Sequence, residues 1–281
     1  MDQFPRTMVG GVSLSRMIIG TNWFLGYSHT NAAKDKFIKN FQDRKKIADI
    51  ITTFFEAGID TIMCPYSELI ANAVKNAQDR TGTEGILILT PTFNIRPGGP
   101  KDQSPEKVFD DCKKLGAKFC FPHQGMIDTL LDKLHREIHD YAKYAKMIRD
   151  RDMIPGLSTH MPESIQIADE TNADVASYIQ LYNAAGFLMQ VEVDCIMKVI
   201  HQAKKPVMTI KPLAAGRLMP VVGLGYVWNT IRDCDMVTIG TTTVDEAKEV
   251  IDLSLAFISN RLPNYKLQET RSKSTIKKAN Q

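Results

Sequence analysis

Cysteine is scarce in this chain: five residues, at 64, 112, 120, 195 and 234, with no CxxC pair among them. The odd number and the spacing exclude a disulfide scaffold and a cysteine-rich zinc module, and the thiols are expected to be reduced. Long apolar runs are missing too; nothing approaches the roughly 18 residues that span a bilayer. Met1-Asp2-Gln3-Phe4-Pro5 has neither the basic start nor the apolar stretch of a secretory leader. A cytoplasmic protein without membrane association is therefore expected. Charge of one sign is also lacking, since 35 Lys and Arg stand against 32 Asp and Glu. Part of the small excess lies in Arg271–Lys278, so no basic face remains for a nucleic acid. Residues 261–281 are expected to be a solvated, partly disordered tail. No Pro/Gly/Ser-rich linker interrupts residues 1–260, which are expected to form one domain.

What is present is alternation. Short apolar runs, Met17–Gly20, Ile59–Cys64, Gly85–Thr90 and Ala117–Phe121, alternate with longer amphipathic stretches. In Lys45–Ala57, Ile47, Ile50, Ile51, Phe54 and Phe55 recur at helical spacing, and Gly58 follows as the stop. Ser104-Pro105 opens another helix, with serine as cap and proline at its first position. One long helix is expected over Met126–Arg151. Further strands are expected at Met153–Leu157, Val175–Leu181, Pro206–Ile210 and Met236–Ile239, with helices over 163–171, 190–203, 221–232 and 244–258. Eight such units imply an α/β fold, a (β/α)8 TIM barrel with parallel strands and right-handed crossovers. An open doubly wound sheet is the alternative. It calls for a glycine-rich phosphate turn after the first strand, and Gly20-Thr-Asn-Trp-Phe-Leu-Gly26 has the wrong spacing.

Barrels work at the C-terminal ends of their strands. Those positions hold Asn22, Trp23, Cys64, Tyr66, His123, Gln124, Ser158, His160, Gln180, Asn183, Lys211 and Thr241. An imidazole at 123 suits a general acid/base or a donor to a carbonyl oxygen. His160 and Lys211 are its candidate partners; the lysine could be a desolvated base, a Schiff-base amine, an anion anchor or a plain rim cation. His135 and His139 stand i,i+4 on the expected long helix, but His-Arg-Glu-Ile-His lacks the zincin order and reads as a solvated face. Convergence of Cys64, His123 and His160 on zinc is conceivable from residue type alone; nothing in the spacing requires it.

Several segments resemble the aldo-keto reductase superfamily. Arg6–Leu14, turning at Gly10-Gly11, resembles its N-terminal hairpin. Val12–Thr21 resembles the opening strand. Gly156-Leu-Ser-Thr-His160, Gln180-Leu-Tyr-Asn183, Lys211-Pro-Leu-Ala-Ala-Gly-Arg-Leu218 and Ile239–Ile251 are similar to the segments after strands five to eight. The resemblance spans 6–258 and implies NADPH as hydride donor and an Asp–Tyr–Lys–His tetrad. Of that tetrad only His123 matches. Counting from Gly58, the aspartate's place is Met63, while Asp60 lies near the strand's start. The lysine's place is Pro91, Tyr66 is the one candidate tyrosine, Ile210 replaces the stacking aromatic, and Gly240–Ala247 carries no arginine for a 2′-phosphate. The resemblance assigns cofactor contacts to Ser158, Gln180, Leu213, Gly216, Gly240 and Thr241.

Without the lysine–aspartate couple a tyrosine stays a poor acid at neutral pH. The first expectation is therefore lyase or isomerase chemistry on a small polar carbonyl or carbohydrate-like compound. His123, His160, Lys211 and Tyr66 would be catalytic, and Asn22, Trp23, Cys64, Gln124, Gln180 and Asn183 would bind substrate. The alternatives are an NAD(P)-dependent oxidoreductase and a non-catalytic barrel that binds a metabolite or a partner. A homo-oligomer is an option under each of these readings. The sequence leaves the cofactor undecided between NAD(P), a metal ion and none.

Overall fold

The computed structural model describes residues 3–96 and 103–263. From residue 264 onward the expected tail lies outside the described residues. The chain opens with an antiparallel hairpin, β1 (Arg6–Val9) and β2 (Val12–Ser15), turning at Gly10 and Gly11, both at positive φ. Next come β3 (Met17–Gly20), the short α1 (Asn22–Leu25), α2 (Ala32–Phe41) and α3 (Arg44–Glu56). Then follow β4 (Thr61–Cys64), α4 (Glu68–Thr81), β5 (Ile86–Leu89), α5 (Pro105–Lys114), β6 (Ala117–Cys120) and α6 (Gln124–Leu130). A small hairpin, β7 (Leu131–Asp132) and β8 (Glu137–Ile138), leads to α7 (Tyr141–Arg149). The remainder is β9 (Ile154–Pro155), β10 (Leu157–Thr159), α8 (Glu163–Glu170), β11 (Tyr178–Leu181), α9 (Val193–Gln202), β12 (Val207–Ile210), α10 (Pro220–Thr230), β13 (Met236–Ile239) and α11 (Val244–Ile258).

All the long-range pairings among β3–β6 and β9–β13 are parallel, in the order β10-β11-β12-β13-β3-β4-β5-β6-β9. The two ends of that order, β9 and β10, are halves of one strand separated by Gly156. β9 pairs with β6 and β10 with β11, so the fifth strand carries the sheet round. This is the (β/α)8 barrel with an N-terminal hairpin. Glycine is required at that point: a Cβ on Gly156 would sit 2.4 Å from the ring of Phe121, inside the barrel.

Two packed layers follow from strand alternation. Inside, Ile18, Met63, Ile88, Phe119, Phe121, Ile179, Met208 and Met236 fill the barrel, and Val9 and Leu14 of the hairpin close its N-terminal end. Outside, Ile19, Ile62, Leu87, Cys120, Leu157, Tyr178 and Val237 pack against the helices. The apolar spacing in α3 lands as expected, with Ile47, Ile50, Ile51, Phe54 and Phe55 all buried. The interior is filled from below, and a cleft opens at the C-terminal end.

Two expectations are corrected. The stretch between β3 and α3, read as a polar loop, contains α2, capped by Asn31 and anchored by buried Ile38. The long helix over Met126–Arg151 is instead α6, a hairpin and α7. Asp132 Oδ1 accepts the backbone N–H groups of Leu134 and His135, each at 2.9 Å, which starts a turn where helix was expected. Arg136 and Asp140 then take positive φ. His135 and His139 therefore stand on a hairpin, where both approach the carboxylate of Asp132.

Candidate active site

Period-two alternation dictates what reaches the mouth. Above Ile88, Phe121, Gly156, Met208 and Met236 come Thr90, His123, Ser158, Ile210 and Thr238, and all five line a cavity of about 640 Å³. Asn22, Trp23, His29, Gln124, His160 and Lys211 join them from the loops after the strands. The cavity continues past Leu213, Gly216 and Arg217 to Gly240, Thr241 and the first turns of α11. It is one cleft with a mouth end and a helix end.

At the mouth, Lys211 Nζ and Asn22 Nδ2 each lie 3.2 Å from Nε2 of His29. Both are donors, so Nε2 of His29 accepts and its proton sits on Nδ1. Nδ1 of His123 accepts the backbone N–H of Gly125 at 3.2 Å, which places that imidazole's proton on Nε2. His29 and Lys211 both hold left-handed backbone, with φ of 56° and 60°. Non-glycine residues in that region cost about 1–3 kcal/mol and cluster where function fixes a side chain.

Burial and mutual repulsion set the charges. Burial, reinforced by the Lys211 ammonium, lowers the pKa of His123 and of His29. His160 is pushed down to about 4 by burial, then by Lys211, His123 and His29. Burial alone brings Lys211 down to about 8. At neutral pH the mouth thus holds three neutral imidazoles and one mostly protonated amine. Among the described residues, the carboxylates lining the cleft are Glu246 and Glu249, at its helix end.

Asn22, Trp23, Gln124, Ser158, Leu213, Gly216, Gly240 and Thr241 all line the cleft that holds His123, His160 and Lys211. Tyr66 is half exposed and lines a neighbouring cavity of about 560 Å³, which shares Asn22, His29, Pro65, Thr90 and His123 with the first. Met63 and Pro91, which stand where the resemblance implies the tetrad's aspartate and lysine, carry no such groups, and Met63 belongs to the barrel interior. Two placements correct the sequence reading. Gln180 alternates with the inward Ile179, so it shares the outer face of β11 with Tyr178; it is buried there, off the cleft. Asn183 is buried in a turn, bonding the backbone N–H and carbonyl of Phe187. Cys64 lines the cleft as well, but its side chain packs in the outer layer, and burial drives its thiol up to about 12, so it offers no thiolate. With Cys64 facing the helices, the convergence on zinc with His123 and His160 does not form. Among the described residues, the grouping of metal-type ligands is Asp132, Glu137 and His139, on the small hairpin.

Sequence reasoning missed His29 and Asp128. His29 lies in the loop after the first strand, nine residues beyond Gly20; only the α1 turn folds it back over the mouth. Asp128, on α6, accepts from Thr159 Oγ1 at 2.5 Å and from the backbone N–H of His160 at 3.2 Å. It fixes the segment that carries the His160 imidazole, and burial raises its own pKa.

No protein-family model matches the chain, and no curated protein matches it in sequence. Solved structures match it in fold. An aldo-keto reductase candidate from Pseudomonas aeruginosa superposes with a TM-score of 0.65 at 14% identity, covering 92% of this chain and 98% of that one. An aldo/keto reductase from Brucella melitensis gives 0.58 at 13%, covering 99% and 98%. One from Klebsiella pneumoniae, solved in complex with NADP and acetate, gives 0.56 at 13%, covering 95% and 99%. The chain has the fold of these reductases at identities that speak to fold alone.

Proposed function

We propose that the protein is a nicotinamide-dependent oxidoreductase acting on a small polar carbonyl compound or the corresponding alcohol. The observation that carries this reading is the continuity of the cleft. The His29–His123–His160–Lys211 mouth opens without interruption into the channel bounded by Leu213–Leu218 and the start of α11. The residues there fit a dinucleotide. Thr238 and Thr241 hold buried hydroxyls with no partner among the described residues. Gly216, at φ +84°, has open space where a Cβ would lie, so backbone can meet a ligand directly. Ser158, Leu213, Gly216, Gly240 and Thr241 would hold the cofactor, with aliphatic Ile210 at the nicotinamide end. Bound there, the cofactor supplies or accepts the hydride, which no side chain can do.

The chain's own residues handle the oxygen and the proton. His123, neutral and protonated on Nε2, donates to a carbonyl oxygen and polarises it, as a fixed donor facing charge that develops in the reaction. Lys211, with its pKa near 8, is charged at pH 7 yet weak enough in its hold to release a proton to the nascent alkoxide. His29 accepts from Lys211 and keeps the amine pointed across the mouth. Fluorescence titration of the full chain with NADH and NADPH tests the reading. Saturable binding of either supports it, and no binding of either at millimolar concentration removes it.

A second reading is proton transfer without hydride, of the lyase or isomerase type. Met63 and Pro91 favour it, because they leave no aspartate–lysine couple beside a tyrosine. Deuterium uptake from D2O into a carbonyl ligand without dinucleotide, abolished in His123→Ala, would select it.

A further inference from the structure

The two ends of the cleft differ in charge. The mouth carries Lys211 and the imidazoles; the helix end carries Glu246 and Glu249. Glu246 Oε2 accepts from the backbone N–H and the hydroxyl of Thr242, at 2.6 and 2.7 Å. Its Oε1 has no hydrogen-bond partner among the described residues, and neither has the Glu249 carboxylate. Lys248, the one basic residue of α11, does not line the cleft. Arg217 lies on the intervening loop, its guanidinium stacked on Phe187 at 3.9 Å and donating to the Ala214 carbonyl at 3.1 Å. Beside the carboxylates, Thr241 is 3% exposed and lines the cleft, yet its hydroxyl has no partner. A buried unpaired hydroxyl next to a cavity calls for a ligand group that can hydrogen-bond to it.

A phosphate ester at this end would bring about two negative charges against two carboxylates with no compensating cation on α11. A vicinal diol would instead donate to a carboxylate, the means by which an acidic side chain recognises an unphosphorylated ribose. The repulsive element and the attractive one select the same ligand. The geometry points to NAD(H), with a free ribose 2′-hydroxyl, over NADP(H) as the occupant of the cleft, with Glu246 and Glu249 as the discriminating residues. This rests on the dinucleotide reading given above.

Calorimetric titration of the full chain with NADH, NADPH, 5′-AMP and 2′-phospho-5′-AMP tests it. NADH is expected to bind at least about tenfold tighter than NADPH, and 5′-AMP tighter than its 2′-phosphate by a similar factor. Glu246→Gln keeps an acceptor for Thr242; combined with Glu249→Gln it should narrow the gap at least about fivefold, chiefly by tightening NADPH. Equal or tighter binding of NADPH by the wild type overturns the inference and leaves the dinucleotide reading standing. Binding of neither overturns both. A gap unchanged in a double variant that melts like the wild type overturns the role of the two carboxylates.

Discussion

Lys211 is an amine held among imidazoles, with no carboxylate ion pair among the described residues. Its pKa near 8 carries two consequences with opposite pH windows. As a proton donor it must be charged, so kcat/KM for carbonyl reduction should fall as pH rises through about 8. Lys211→Met should erase that limb and lower turnover by roughly 10²–10⁴. For stability the sign reverses, because the folded state disfavours the ammonium that the unfolded chain accommodates. That penalty is in force below about pH 8 and fades as pH rises toward the usual lysine range. Lys211→Met should accordingly be more stable than the wild type in urea at pH 7, by about 2 kcal/mol after discounting for partial exposure. The advantage should be gone above pH 10. His160 works in the acid range. Its folded pKa near 4 lies below the ordinary imidazole value, so the unfolded chain binds the extra proton first. Stability should fall as pH drops from about 6.5 toward 4, and His160→Asn should flatten that slope in acid melts. His123 and Lys211 could be named from sequence because each follows an apolar run. His29 could not, because its approach depends on the turn of α1 and on a positive φ that residue type alone does not announce.

The elements were legible where packing and local pattern agree. The α3 spacing, the Ser104-Pro105 start of α5 and the Gly10-Gly11 turn all act over a few residues, and all three form. The region from 126 to 151 misled because its apolar residues sit at helical spacing through a turn that one aspartate imposes. Asp132→Ala should therefore speed amide exchange across 131–138 and leave ligand binding at the mouth unchanged. Gly156 is the opposite case, a position fixed by the interior. Gly156→Ala should cost about 1–3 kcal/mol, since the new methyl meets the ring of fully buried Phe121 and neither can retreat. Gln180 shows how one residue of register decides a role. At a strand end either face is open to a sequence reader, and the inward Ile179 gives Gln180 the outer one.

Taken whole, the molecule couples a filled barrel to an open cleft, so a ligand bound there should stabilise the fold by mass action. A dinucleotide at about 100 times its Kd should add roughly 2.7 kcal/mol, read as a rise in Tm that grows with ligand concentration. The alternation of short apolar runs with amphipathic stretches determined by itself a parallel α/β fold, because strands buried on both faces need helices on each side. The lack of a glycine-rich phosphate turn after the first strand favoured the closed barrel over an open sheet. The resemblance, counted along the chain, implied an acid–base couple where Met63 and Pro91 stand, and residue identity alone shows that neither can form one. Only the tertiary structure decided which polar residues share the cleft, how they are charged, and that its carboxylates gather at the end away from the amine. Those properties arise from distances between residues remote in sequence and from the water that packing removes around them, and neither is written in any local stretch of the chain.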